Sequence, residues 1–441
     1  MMDKPSQKQQ ILFGITLFSM FFGAGNLIFP PYLGYQAGQK ALPAFLGFAA
    51  SAVGLPILGV IAVVRTGGIR SLAGRVSGPF AAIYTMLIYL SIGPCLAIPR
   101  TASTSFEMAV TPFLPVHSGA FWVQVLYSAV FFGIALVLAL HPTHLVNLLG
   151  KHLAPVLLAL IAVLVLGGIF HGFSGSNVPV ENYATVPAVQ GFLDGYQTMD
   201  AIAALIFGMI FTLNIAGFGI TEKKAVYDTA LHSGGVAAIL FATVYGALTW
   251  VGTAGAAGSK VENGAQALSY VAMRLFGWSG EIILAAIFFL ACLNTCISLI
   301  CCCGEYFHKL MPKMSYPVWA SLFAAISAVI ANAGLNAILK FSVPVLEGLY
   351  PMAIVLIALA FLPEQFHVHR PLLYPLSIAL TGIVSVTDSL RDAGMTIPLF
   401  TDAVQRLPLS SFGLGWLVPA LVGIAVGILT VRKQSLPISA A

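Results

Sequence analysis

A series of apolar windows of about 20 residues each, separated by short breaks, leaves this chain few folds to choose from. They run over 11–36, 42–64, 79–99, 119–140, 153–170, 190–216, 231–255, 280–303, 316–334, 337–362, 371–387 and 412–431. Within hydrocarbon every backbone N–H and C=O must be bonded internally, and a helix does this along its own length. The windows therefore predict an all-α polytopic membrane protein with about twelve transmembrane helices. Gly78-Pro79, His141-Pro142 and Gly334-Leu335-Asn336 are the breaks that separate neighbouring windows most clearly. Charge is scarce enough to agree: 8% of the 441 residues are charged, against about 25% in a soluble domain.

Cations orient the spans. With the N-terminus in the cytoplasm, the inner set includes Lys4, Lys8, Arg65, Arg70, Arg75, Lys151, Lys223, Lys224, Lys309, Lys313, Arg370, Arg432 and Lys433. The outer set is Lys40, Arg100, Lys260, Arg274, Lys340, Arg391 and Arg406. The excess inside places both termini in the cytoplasm. Lys4 and Lys8 precede Ile11, but the apolar run that follows is too long for a cleavable signal peptide. The cations form no basic cluster with interleaved aromatics, so no nucleic-acid partner is expected.

The first window carries a defect. Gly23-Ala24-Gly25-Asn26 places two glycines and an amide mid-span. Glycine costs roughly 1 kcal/mol against alanine inside a helix, and a buried amide needs partners. Two readings follow: a close helix-packing surface, or a broken helix whose free carbonyls and amides, from Ser19 through Phe21 and Phe22 to Asn26, form a binding site. The sixth window is interrupted in the same way by Gly195, Tyr196, Gln197, Thr198 and Asp200. A mid-helix carboxylate costs about 2.5–3.5 kcal/mol on insertion scales. Either the span starts later and Asp200 lies at the aqueous surface, or Asp200 faces the bundle interior.

Other polar residues carry weaker signals. Cys292, Cys296, Cys301, Cys302 and Cys303 crowd into one apolar segment, where helical geometry makes a poor disulfide framework; small packing residues are expected rather than a metal site with His308. Glu347, between Pro344 and Pro351, needs a partner or a proton; it reads as a proton relay, a neutral packing residue or a water-facing gate. Arg100 and Glu107 flank the polar run Thr101–Ser105 and read as an extracellular helix extension with an ion pair. His141, His144, His152, His367 and His369 read as solvated loop residues. No Gly-x-Ser-x-Gly or His-Glu-x-x-His occurs, so an enzyme is not expected. No repeated filter or charged ring marks a channel.

Two broken helices at corresponding places in two halves mark a midplane transport site. In the first break, the carbonyls ending one half-helix suit a cation and the amides opening the next suit a carboxylate. That pair of signs fits a zwitterionic amino acid with an apolar side chain, together with a monovalent cation.

The strings "LFSMFFGAGNLIFPPYLGYQAG", "GPCLAIPRTASTSFE", "GYQTMDAIAALIFG" and "SVPVLEGLYP" strongly resemble the branched-chain amino acid:cation symporters, the BrnQ-type permeases, and the resemblance covers nearly the whole chain. It implies the 5+5 inverted-repeat amino-acid/sodium symporter fold with broken helices 1 and 6. The repeats would be 11–170 and 190–362, followed by two additional helices over 371–431. It implies import of leucine, isoleucine or valine with sodium, by alternating access, across a bacterial cytoplasmic (inner) membrane. Substrate would contact Phe21, Gly23, Ala24, Gly25, Asn26, Tyr196, Thr198 and Asp200. Relatives with this fold bind sodium through an Ala-x-x-Ser/Thr-Ser/Thr set and carbonyls of the first helix. Here Ala291, Asn294 and Thr295 share a helical face, so the implied sodium set is Ser19, Phe22, Ala291, Asn294 and Thr295. Asn294 departs from the hydroxyl residue usual there. The coupling ion is the one inorganic partner implied, with no other cofactor. A proton-coupled amino acid or nucleobase permease of the same fold stays open through Asp200 and Glu347.

Overall fold

A computed structural model describes residues 6–114, 120–140, 154–395 and 397–430. The chain is helical throughout. The first half contains α1 (Gln7–Phe21), α2 (Ala24–Ala37), α3 (Ala41–Ala49), α4 (Leu55–Thr66), α5 (Ile69–Gly74), α6 (Gly78–Leu90), α7 (Ala97–Ala109), α8 (Ala120–Ala139) and α9 (Ala154–Phe170). The rest contains α10 (Pro187–Asp194), α11 (Asp200–Gly217), α12 (Lys223–Trp250), α13 (Gly264–Phe276), α14 (Trp278–Leu310), α15 (Tyr316–Ala331), α16 (Leu335–Ala360), α17 (Glu364–His369), α18 (Leu373–Asp392), α19 (Pro398–Gln405) and α20 (Leu417–Leu429). Eight helical stretches among the described residues are long and apolar enough to cross a membrane, and three shorter apolar helices join them. Their outward faces are apolar, as at Trp122, Ile239, Val329 and Phe341, all highly exposed. That is what a lipid-facing surface requires.

Two helices carry a π turn rather than a break, Ala50–Gly54 joining α3 to α4 and Val251–Gly255 extending α12, whereas Ser91–Cys95 joins α6 to α7 across a kink with non-helical backbone at Gly93. Such turns bend a helix without freeing many backbone groups. The bends let α3 follow α10 and α4 follow α11, while α12 follows α1 and its π end follows α2. Glycine makes these approaches close. A methyl on Gly47 would run into the backbone of Ala188, and one on Gly252 into that of Pro31.

Several boundaries differ from the sequence reading. The third span does not end at 99: α7 continues to Ala109 inside the bundle. Two of its hydroxyls are absorbed by its own backbone, with Thr101 Oγ1 donating to Ile98 O at 2.6 Å and Ser103 Oγ to Pro99 O at 3.2 Å, and Ser105 pairs with the Tyr127 hydroxyl. Polarity at 101–105 therefore does not mean water. Arg100 is buried with only 4% of its surface exposed, and none of the ion pairs among the described residues involves it. The extracellular Arg100–Glu107 pair is thus replaced by a buried cation. The amphipathic α13, capped by Asn263 Oδ1 accepting from Gln266 N, was not foreseen. Its first residue packs so closely on α2 that a methyl at Gly264 would overlap Ile28 O. His308 Nδ1 lies 2.8 Å from Met314 O and His367 Nδ1 lies 3.2 Å from the Tyr374 hydroxyl. All six cysteines are free. Lys4, His141, His144, Lys151, His152, Arg432 and Lys433 fall outside the described residues.

Candidate functional site

The first window is broken, not merely glycine-lined. α1 ends at Phe21, and Phe22 and Gly23 are extended before α2 starts at Ala24. Gly23 is required by crowding, because a methyl there would collide with Thr295 Oγ1. Asn26 caps the new helix from its first turn: Gly23 N donates to Asn26 Oδ1 at 3.1 Å. The Asn26 amide then reaches across the bundle, donating to Asp200 Oδ2 at 2.6 Å and to the Tyr245 hydroxyl. Tyr245 in turn donates to Asp200 Oδ2 at 3.3 Å.

The second break lies opposite. α10 tightens into a 3-10 turn over Gly195–Thr198, and Met199 takes a left-handed φ of 66° before α11 begins. A non-glycine residue rarely adopts that conformation. It swings the chain so that Asp200 becomes the first residue of α11, where the helix dipole favours a carboxylate. Thr198 Oγ1 donates to Gly195 O at 2.9 Å and accepts from Asp200 N at 3.4 Å. Asp200 is buried, 4% exposed, so the surface alternative for it is gone. Tyr196 stacks on Tyr350 with centroids 4.4 Å apart, and the Tyr350 hydroxyl accepts from Ala201 N at 3.3 Å.

A cavity of about 30 Å³ lies between the breaks. That is room for a water or two. Its walls include Phe21, Gly23, Ala24, Gly25, Asn26, Thr198 and Asp200. Tyr196 does not reach it; its ring faces the outer neighbour described next. Arg100 does reach it, from α7. It was missed because the sequence offered only a cation beside hydroxyls; Tyr245 was missed because its ring merges into an apolar window.

Two larger cavities flank this one. A mostly apolar cavity of about 580 Å³ opens on the side of the chain's N-terminus, between the second half of α1 and the C-terminal halves of α11 and α14; Ser19 and Asn294 lie at its inner end. A cavity of about 540 Å³ opens on the opposite side, lined by Phe29, Tyr196, Gln197, Glu347, Asp388 and Arg391 among others. Glu347 is therefore a half-buried residue of this vestibule, outside the central cavity but sharing its own cavity with Tyr196 and Gln197 of the second break.

Four of the residues expected to hold a cation meet in two pairs. Asn294 Nδ2 donates to Ser19 O at 2.7 Å and to Ser19 Oγ at 3.1 Å. Thr295 Oγ1 donates to Phe22 O at 3.2 Å. Ala291 is fully buried one turn earlier on α14. Asn294 Oδ1 is buried with no hydrogen-bond partner. The amide is thus turned with its nitrogen, not its oxygen, toward Ser19. A half-turn of the amide would present the orphaned oxygen to the same place, giving a cluster of neutral oxygens suited to a hard monovalent ion. No cluster of three or more His, Cys, Asp or Glu side chains arranged to hold a metal occurs among the described residues.

The fold is shared with solved transporters. It superposes on a nucleobase-cation-symport-1 family transporter, Mhp1, in a closed conformation with bromovinylhydantoin bound, at a TM-score of 0.60, 12% identity, and 95% and 91% coverage of the two chains. It also matches MhsT in complex with L-phenylalanine, at a TM-score of 0.55, 16% identity, and 94% and 97% coverage. At such identities the likeness concerns fold alone. Sequence reaches further. The chain is 39% identical to the branched-chain amino acid permease BraB of Bacillus subtilis, covering 95% of each protein. It is 38% identical to the branched-chain amino acid transport system 2 carrier protein of Pseudomonas aeruginosa, covering 96% of each. The family described as branched-chain amino acid transport protein matches residues 6–434. With two opposed helix breaks around a small buried cavity, and with relatives of this identity over 95–96% of its length, the chain belongs to the branched-chain amino acid transport protein family.

Proposed function

We propose that the chain is a secondary symporter that imports leucine, isoleucine or valine together with one sodium ion, by alternating access, across a bacterial cytoplasmic membrane. One observation carries this reading: two interrupted helices face each other across one buried cavity, with a carboxylate at one wall and convergent neutral oxygens beside it. Asp200 receives the substrate ammonium. The N-terminal turn of α2, at Ala24, Gly25 and Asn26, faces the carboxylate with the positive end of its dipole. Phe21 and Phe207, which also line the cavity, give the substrate's side chain an apolar wall. One methylene is worth only about 1–3 kcal/mol, so all three branched side chains are accepted. Ser19 O, Phe22 O, Ala291 O, Asn294 Oδ1 and Thr295 Oγ1 hold the sodium.

The proposed architecture is two inverted five-helix repeats, 11–170 and 190–362, with two further helices over 371–431 and both termini in the cytoplasm. Reciprocal packing supports it: α3 and α4 follow the broken sixth span just as α12 follows the broken first. The π turns of these two partners, at Ala50–Gly54 and Val251–Gly255, fall at matching places. A cavity on each side of the central one supplies the two access routes, and a site of about 30 Å³ must widen to load a leucine.

Proton coupling is the second reading, favoured by the buried Asp200 and by the amide nitrogen of Asn294 standing where a cation would be. Uptake of labelled leucine into proteoliposomes, with sodium and pH gradients imposed separately, tests both. Sodium-driven uptake is expected. Uptake indifferent to sodium and driven by a pH gradient would replace it with the proton reading.

A further inference from the structure

Arg100 is the charged side chain of the central cavity that the sequence placed elsewhere, and its hydrogen-bond partners are all neutral. We propose that Arg100 is the carboxylate-recognition residue of the transport site, gripping the substrate carboxylate between its guanidinium and the first turn of α2. The proposal rests on the transport reading above and deepens it.

The guanidinium carries five N–H donors in a rigid fork. Nη1 donates to Gln197 O at 2.7 Å and Nη2 to Thr198 O at 3.4 Å. Both carbonyls are freed by the 3-10 turn of the second break, so the break anchors and aims the fork. The guanidinium carbon also sits 5.8 Å from the centre of the Phe29 ring, which limits its tilt. These partners are neutral or aromatic. A buried full charge needs an opposite charge close by. Asp200 lines the same cavity and its charge acts on Arg100 across it, but its carboxylate accepts hydrogen bonds from Asn26 and Tyr245 and makes no ion-pair contact with Arg100 among the described residues. A carboxylate entering the cavity completes the set.

Gly25 fixes where that carboxylate goes. A methyl there would lie 2.9 Å from Arg100 Nη2 and 3.3 Å from Thr198 Cα, so only hydrogen leaves a gap between α2 and the fork. Arg100 and Asp200 then form two poles of one cavity. An α-amino acid spans them with its carboxylate on Arg100 and its ammonium on Asp200. The helix dipole alone attracts anions only weakly; a charge-assisted fork adds discrimination against molecules that lack the carboxylate. The site is thereby specific for free α-amino acids, rejecting the corresponding amides.

The test uses the purified full chain in lipid nanodiscs, with the affinities of leucine and leucinamide each measured directly at a pH where both amines are charged. Wild-type protein should prefer leucine by about tenfold or more. Arg100→Gln should weaken leucine about 10- to 100-fold while leucinamide changes less than about threefold, so that the preference collapses. Arg100→Lys, which keeps the charge and loses the fork, should restore part of the preference. If the leucine-to-leucinamide ratio is unchanged in Arg100→Gln, whether both affinities hold or both fall, Arg100 merely buttresses the second break and the proposal fails. Should Arg100→Gln not fold, the ratio in Arg100→Lys decides: a ratio equal to wild type overturns the proposal. Wild-type protein that binds no leucine would instead sink the transport reading itself.

Discussion

Gly25 tolerates little enlargement, because its missing side chain is the space between Arg100, Phe29 and Thr198. We expect Gly25→Leu to abolish leucine binding while the protein still inserts and stays monodisperse in detergent; unchanged affinity would remove this break from the site. Asp200 is held differently. Asn26 and Tyr245 both donate to its Oδ2, so Asp200→Asn keeps an acceptor for them but loses the charge that faces an ammonium. A charge-assisted hydrogen bond contributes about 1.5–3 kcal/mol, so leucine affinity should fall by about tenfold or more in calorimetric binding, with protein yield unchanged. Asn26 and Asp200 were legible in the sequence, since an amide and a carboxylate inside apolar runs demand partners, and each turned out to partner the other. Arg100 was not legible. Its neighbours Thr101–Ser105 look aqueous in sequence, and only the packed helix shows that they are buried.

At the scale of elements, interruption is visible in sequence and bending is not. The runs Gly23-x-Gly25 and Gly195–Asp200 announce broken helices because they combine glycine with groups that hydrocarbon rejects. The π turns at Ala50–Gly54 and Val251–Gly255 announce nothing: their residues are small and, apart from the single hydroxyls of Ser51 and Thr253, apolar, and one inserted residue leaves the hydropathy unchanged. Those bends nevertheless bring Gly47 onto Ala188 and Gly252 onto Pro31. Backbone has no rotamer with which to yield, and overpacking costs about 1–3 kcal/mol or more. We expect Gly47→Leu and Gly252→Leu each to lower the Tm of the detergent-solubilised protein by several degrees. Gly133→Ala is the control: a methyl there meets nothing within 4 Å, so its Tm should match wild type. Equal melting of all three would mean that the reciprocal packing of α3 on α10 and of α12 on α2 is loose. The amphipathic α13 escaped the sequence reading for a related reason, as a search for spans of about 20 apolar residues passes over a 13-residue helix with one buried face.

On the scale of the whole molecule, the proposed cycle couples two ligands through one piece of backbone. Phe22 O accepts from Thr295 on the cation side, and the next residue, Gly23, donates to Asn26, which bonds Asp200 on the substrate side. A cation drawn to Ser19 O and Phe22 O fixes the end of α1, and that fixes the start of α2 against which the substrate rests. Binding free energies linked in this way are reciprocal: sodium must raise leucine affinity by the same factor by which leucine raises sodium affinity, typically 5- to 150-fold. Thr295→Ala removes one proposed sodium ligand and the only side-chain hydrogen bond to Phe22 O among the described residues. It leaves Asp200, Asn26 and Gly25 untouched. We therefore expect the sodium concentration for half-maximal uptake to rise several-fold in Thr295→Ala, and leucine to bind more weakly at low sodium. Saturating sodium should bring leucine affinity back to within about twofold of wild type, because Arg100, Gly25 and Asp200, which grip the substrate's charged ends in the proposed site, are intact. Equilibrium leucine binding, titrated across sodium concentrations in both proteins, measures all three quantities. A leucine affinity that falls equally at low and saturating sodium would place Thr295 in the substrate site and break the coupling route through Phe22 and Gly23.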